Sequence, residues 1–156
     1  MTEGLSLQIP EKRFLPNSRA VISYEMLIRG KVVSGKGEGK KYLSEKIYAE
    51  QFKENLSFIP FPGTLNLSVK EEDYEKFKIL REEKGIIIHG FEHNGKKFGD
   101  VKCFVCTVGG RERGAIVIPE KSHYNNVLEV ISDRNLRGIL SLRDGDEVDI
   151  LVGEYE

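Results

Sequence analysis

Three stretches of this chain combine residue types that could handle a phosphate-bearing ligand. The first is Ser34-Gly35-Lys36-Gly37-Glu38-Gly39-Lys40-Lys41. Glycines at alternate positions leave backbone N–H groups unshielded, so several can converge on one anion, while Lys36, Lys40 and Lys41 add positive charge. It is not a Walker A loop: after Gly30-x4-Gly35-Lys36 comes Gly37, where a hydroxyl should meet the metal. Gly35-x-Gly37-x-Gly39 also lacks the G-x-G-x-x-G spacing of dinucleotide folds and protein kinases. For this loop alone, a hairpin tip with solvated lysines is the simpler reading.

The second stretch is Pro62-Gly63-Thr64-Leu65-Asn66-Leu67. Residues two apart on a strand share a face, so the Thr64 hydroxyl and the Asn66 amide oxygen can reach one cation. Neutral oxygens suit Mg²⁺ when phosphates balance its charge. Alone, the segment reads more simply as the exposed polar face of an edge strand. The third stretch runs from Ile118-Pro119-Glu120-Lys121-Ser122-His123-Tyr124 through Leu128-Glu129-Val130-Ile131 to Arg134-Asn135-Leu136-Arg137. Glu129 stands between two apolar neighbours, and strand alternation turns it to the opposite face from them. It or His123 could serve as a general base, although a loop histidine is more often a surface residue. Otherwise the stretch is a polar connection followed by a solvated turn.

Cys103 and Cys106 form a lone C-x-x-C with no second pair to complete a zinc site. The run VKCFVCTV has strand character, which sends residues three apart to opposite faces. They read as two small strand hydrophobes.

The elements that must position these groups follow from periodicity and punctuation. Met26 to Val33 is strand-like and leads into the glycine loop. Ser44 is placed to cap a helix ending at Leu56, with Tyr48, Phe52 and Leu56 at i, i+4, i+8. Leu65, Leu67 and Val69 alternate with polar residues on a strand. Glu71 to Glu83 predicts a charged helix, with Gly85 near its C′ position. Strands are expected over Ile86 to Glu92 and Lys97 to Val108, joined at Asn94-Gly95, a hairpin signal. Gly109-Gly110 turns the chain into Ala115-Ile116-Val117-Ile118, which Pro119 ends. After a polar loop come a strand over Val127 to Ile131, a helical turn at Asn135-Leu136-Arg137, the turn Asp144-Gly145-Asp146, and a last strand from Glu147 to Val152. Six or seven strands, two helices and no βαβ rhythm favour a closed or nearly closed barrel, which leaves few open edges.

At 156 residues, 39% hydrophobic and 31% charged, the chain is the size of one soluble domain. Residues 1–24 read as an N-terminal extension and 25–156 as the domain proper. With Lys+Arg 24 against Asp+Glu 25, formal net charge −1, sequence-independent nucleic-acid or membrane binding is not favoured. No apolar run could span a bilayer and no secretory signal opens the chain, so a cytoplasmic protein is expected.

Taken in order, the motifs are specific. G-x-V-V-S-G-x-G-E-G from Gly30, P-G-T-L-N-L from Pro62, G-A-I-V-I-P from Gly114, L-E-V-I from Leu128, L-R at Leu136-Arg137 and L-x-D-G-D ending at Asp146 resemble the archaeal CTP-dependent riboflavin kinase family. The resemblance extends from about Gly30 to Val152. It implies a mainly β protein: a six-stranded Greek-key barrel of the riboflavin-kinase-like, cradle-loop type with two peripheral helices. It implies transfer of the γ-phosphoryl group of CTP to the 5′-hydroxyl of riboflavin, giving FMN and CDP, with Mg²⁺. On that resemblance Lys36, Gly37, Glu38, Gly39, Lys40 and Lys41, with Arg134, Asn135, Leu136 and Arg137, hold the nucleotide. Thr64 and Asn66 are the metal pair. Ser122 and Glu129 fall at the flavin, Glu129 as base or as anchor. Small molecules are the expected partners of a monomer. Two alternatives compete: a DNA-binding barrel of the transition-state-regulator type, disfavoured by the charge balance, and a non-catalytic flavin-binding barrel, disfavoured by the presence of both Thr64 and Asn66.

Overall fold

The computed structural model of this chain describes residues 13–14, 22–23, 25–35, 46–120 and 125–153. Near the start of the chain, β1 (Arg13–Phe14) pairs antiparallel with β2 (Ile22–Ser23). The chain then runs β3 (Met26–Val33), α1 (Lys46–Leu56), β4 (Leu65–Val69), a 3₁₀ turn (Glu71–Asp73) leading into α2 (Tyr74–Glu82), and β5 (Ile86–Ile88). It continues through β6 (Phe91–His93), β7 (Lys96–Phe98), β8 (Val101–Val108), β9 (Glu112–Pro119), β10 (Val127–Ile131), α3 (Leu136–Ile139) and β11 (Glu147–Val152).

Six strands close into an antiparallel barrel in the order β11-β3-β4-β10-β9-β8, with β8 returning to β11. Strand β8 spans the closure: Cys106–Val108 pair with β11, while Val101–Cys103, on the same edge, pair with β5. Every strand edge of the barrel is therefore hydrogen-bonded to a neighbour, which is what closure achieves for a short-stranded sheet.

Alternation sorts the side chains. Ile28, Val32, Leu67, Ile116, Leu128, Val130 and Ile150 fill the interior. Ala115, Val117 and Ile131 face outward, yet they are buried too, because Tyr48, Phe52 and Leu56 on one stripe of α1 cover them. That explains why Ala115 to Ile118 is apolar without a break: both faces of β9 are covered. The Gln51 side chain fixes the helix to the chain beyond β5, its Nε2 donating to the His89 carbonyl at 2.8 Å and its Oε1 accepting from His89 N–H at 2.8 Å.

Two helical segments cap opposite ends of the barrel. Helix α2 follows β4 through the 3₁₀ turn and sends Phe77 and Leu80 into the interior cluster from one end. At the other end α3 follows β10 and inserts Leu136. The α2 end is tied by Asp73, which is 1% exposed and accepts from Arg29 N–H at 2.9 Å and Arg29 Nε at 3.0 Å.

The expected barrel, strand β3, the run of α1 to Leu56 and the last two strands are found where the sequence predicts them, while the expected Ser44 cap lies outside the described residues. Three local expectations are corrected. The helix over Glu71 to Glu83 is a 3₁₀ turn plus α2, because Asp73 turns its carboxylate to Arg29 on β3. Gly85 does not end it in a left-handed cap. Glu83 takes an extended conformation there, and Lys102 Nζ donates to the carbonyls of Arg81 and Glu83. Gly85 is needed for space, since a Cβ would lie 2.7 Å from the Cys103 carbonyl. Finally, the hairpin at Asn94-Gly95 (φ 51° and 78°) forms as expected, but β6 and β7 make a separate two-stranded sheet. The longer strands are interrupted where Gly90 N–H donates to Asp100 Oδ1 at 2.7 Å.

Cys103 and Cys106 are buried on opposite faces of β8, one under α1 and one inside the barrel, and burial pushes both thiols up. No helix among the described residues is long and apolar enough to cross a membrane.

Candidate functional site

The α3 end of the barrel gathers the chemistry. Strand β3 exits there into the glycine loop, β4 enters from Thr64, and β10 leaves towards Arg134. The backbone N–H of Phe61 donates to the Ser132 carbonyl at 2.7 Å, so the segment before β4 and the segment after β10 lie side by side. Ser132 is buried and its Oγ donates to the Arg113 carbonyl at 2.8 Å, fixing the bend from which Arg134 departs. Asn135 caps α3, its side chain accepting from Gly138 N–H at 3.4 Å.

Between these segments lies a pocket of about 240 Å³, lined by Phe61, Thr64, Ser132, Arg134, Asn135 and Arg137 among others. Two of the stretches singled out in the sequence therefore meet in space. Leu136 also borders the pocket, but its side chain is committed to the barrel core, so position 136 offers a ligand only its backbone.

Thr64 and Asn66 are both half-buried and point to one side. Asn66 Nδ2 lies 3.3 Å from Thr64 Oγ1. A half-turn of the amide exchanges Nδ2 for Oδ1. Two oxygens at that separation are near the edge of about 2.9 Å expected for an octahedron with Mg²⁺–O bonds of roughly 2.1 Å. Gly35 shapes the same spot: a Cβ there would run into the Asn66 amide. The donor set and its bare-backbone neighbour fit a small hard cation.

Glu129 is the direct partner of Asn66 in the β4–β10 ladder, and its other neighbour is Val117 on β9. Opposite residues in an antiparallel pair share a face. The carboxylate therefore stands beside the Thr64–Asn66 pair on the outer surface of the barrel, half-buried, next to the apolar ground that α1 covers.

Charge is distributed unevenly around this rim. Arg137 Nη1 donates to Asp144 Oδ1 at 2.9 Å, and Ser34 Oγ donates to Asp144 Oδ2 at 2.9 Å. The Ser34 and Arg137 hydrogen bonds hold the Asp144 carboxyl below its ordinary value. Arg134 is largely exposed, with Glu112 4.0 Å away. Lys36, Gly37, Glu38, Gly39, Lys40 and Lys41 lie outside the described residues, as do Ser122 and His123. Sequence reasoning missed Phe61, Ser132 and Asp144. The signal for Asp144 was its turn motif, which speaks of local geometry and not of its long-range partners.

The chain is similar in sequence to archaeal riboflavin kinases. The family model CTP-dep_RFKase, described as "Domain of unknown function DUF120", matches residues 32–152. A riboflavin kinase of Archaeoglobus fulgidus is 49% identical over 126 residues, 80% of this chain and 54% of the relative. One from Ignicoccus hospitalis is 47% identical over 133 residues, covering 85% of this chain and 74% of its own length. One from Thermoplasma volcanium is 42% identical over 151 residues, 96% and 67% respectively. The chain thus spans about half the length of the Archaeoglobus protein and more of the other two.

Proposed function

The chain belongs to the CTP-dependent riboflavin kinase family, and from that membership we propose that it transfers the γ-phosphoryl group of CTP to the 5′-hydroxyl of riboflavin, releasing FMN and CDP. The observation that carries this reading is the pocket in which Thr64 meets Arg134 and Arg137, with Asn66 and Glu129 paired on the adjoining strands.

Phosphoryl transfer asks little covalent work of a protein. It asks for held phosphates, neutralised charge and an aligned hydroxyl. The two arginines supply forked donors that suit phosphate oxygens, and the glycine loop from Lys36 to Lys41, with its bare N–H groups, holds the rest of the nucleotide. Thr64 and Asn66 would hold Mg²⁺, which neutralises charge on the phosphoryl oxygens when bound. Glu129, one strand away from Asn66 and against apolar ground, holds the ribityl end of riboflavin so that its hydroxyl faces the metal pair. Ser122 contributes to the flavin side. Arg134–Arg137 and Ser34–Lys41 then clasp one substrate while β10 presents the other.

The test is to incubate the protein with riboflavin, Mg²⁺ and each of the four nucleoside triphosphates, and to follow FMN. CTP should support turnover more than about 10²-fold faster than ATP, because a site built to hydrogen-bond one base leaves its polar groups unpaired with the wrong one. No FMN with any donor would overturn the reading; equal rates with ATP would overturn the donor preference alone.

A further inference from the structure

We propose that Asp144 is a positioning residue for the nucleotide, bracing Arg137 and the foot of the glycine loop in one arrangement; the inference rests on the kinase reading above. Its two carboxylate oxygens are divided between two elements far apart in sequence. Oδ2 accepts from Ser34, immediately before Gly35, and Oδ1 accepts from Arg137 on α3. One side chain thus spans the gap between the two segments that would grip CTP from either side.

The turn does not need this carboxylate for its own shape. Gly145 N–H donates to the Val32 carbonyl at 2.8 Å and Val32 N–H to the Asp146 carbonyl at 2.9 Å. Arg143 N–H donates to Asp146 Oδ2 at 2.8 Å. These bonds fasten the turn to the end of β3 and leave the Asp144 side chain for the two loops. Nor does the contact contribute much to folding, since exposed ion pairs are worth little. Its effect lies in the order it imposes before the ligand arrives. Arg137 is long and rotamer-rich, and a guanidinium already held on the pocket wall loses less freedom on meeting a phosphate. Against this, a carboxylate near phosphates repels them. The geometry points to bracing as the larger effect, because the carboxylate is occupied on both oxygens by donors and directs Arg137 rather than facing the pocket, which Asp144 does not line.

The experiment measures CDP binding, with Mg²⁺, to the full chain by calorimetry, alongside steady-state constants for CTP and riboflavin. Asp144→Ala should weaken CDP and raise the KM for CTP by about three- to tenfold, the range for freeing one or two ordered side chains. The KM for riboflavin and the melting temperature should stay put. Introduced into a Ser34→Ala/Arg137→Ala background, the same substitution should have no further effect, because its partners are gone. Undiminished or tighter CDP binding by Asp144→Ala, in a wild-type protein that forms FMN from CTP, overturns the brace alone. So does a full additional loss in the background lacking Ser34 and Arg137. A wild-type protein that forms no FMN overturns the kinase reading and this inference together.

Discussion

At the level of single side chains, the most informative juxtaposition is Asn66 between Thr64 and Glu129. Thr64 immediately precedes β4, which carries Asn66, and Glu129 stands opposite Asn66 on β10, so three oxygen-bearing groups lie together. If Thr64 and Asn66 hold the charge-neutralising metal, Thr64→Ala and Asn66→Ala should each lower kcat by about 10²-fold, the usual loss on removing one well-placed stabilising group. Riboflavin affinity, read by quenching of flavin fluorescence, should hardly move, and near-normal rates at saturating Mg²⁺ would make the pair merely polar. Glu129→Gln separates two roles that sequence leaves open. As an anchor, Glu129 sets the KM for riboflavin, which should rise roughly tenfold with loss of a charge-assisted hydrogen bond, about 1.5 kcal/mol. A fall of about 10²-fold in kcat at constant KM would make it the general base instead. The anchor role is favoured by its half-buried place beside the Thr64–Asn66 pair, where a hydrogen bond from a substrate hydroxyl to the carboxylate is partly shielded from water.

At the level of elements, the exit of β3 carries a constraint that β3 itself does not reveal. Gly35 stands where any Cβ would collide with the Asn66 amide, and that amide is the far end of a side chain that can swing away. Gly35→Ala should therefore leave the melting temperature within a degree or two while lowering kcat about as far as Asn66→Ala does, roughly 10²-fold. The two substitutions together should cost no more than either alone, and additive losses would show that the glycine acts elsewhere. The same distinction between local and long-range causes decides what could be read from sequence. Tyr48, Phe52 and Leu56 announce α1, and Leu65, Leu67 and Val69 announce β4, because periodicity is local. Asn94-Gly95 announces its turn for the same reason. The break of the second helix at Asp73 could not be foreseen, since Arg29 lies 44 residues away. Nor could the break between β5 and β6, which depends on Asp100 reaching Gly90. The site follows this rule. Each candidate segment is visible as a motif, but the meeting of Thr64 with Arg134 and Arg137 depends on β4 lying beside β10. Strand order across a barrel is not encoded in any one window, and only the ordered set of motifs, through its family resemblance, anticipated it.

For the molecule as a whole, barrel closure separates function from fastening. The proposed substrates meet at the α3 end, while the opposite end is held by α2 and by Asp73, buried beside Arg29 and Lys76. The fastening end also carries a buried carboxylate on which acid stability depends. Burial by itself would raise the Asp73 carboxyl, but hydrogen bonds from the Arg29 side chain and backbone N–H, with the nearby charge of Lys76, outweigh it and hold the group below its ordinary value. In the unfolded chain the carboxyl returns to about 3.9. Because the folded value is the lower, the carboxylate's contribution is complete above about pH 5 and is lost as pH falls through the folded value. Asp73→Asn removes the charge while keeping the shape. It should cost roughly 2 kcal/mol at about pH 7, the scale of hydrogen bonds to a charged group. At about pH 3 the unfolded carboxyl, near about 3.9, is mostly protonated while the folded one is held lower, so the advantage of the wild type should be smaller than at neutral pH. Urea unfolding followed at both pH values reads the difference directly. Turnover at neutral pH should be the same for both, because Asp73 lies at the far end of the barrel from Thr64 and Arg137. A stability gap that stays constant with pH would mean that the second accepting oxygen, which Asn replaces with a donor, and not the charge, fastens α2 to β3.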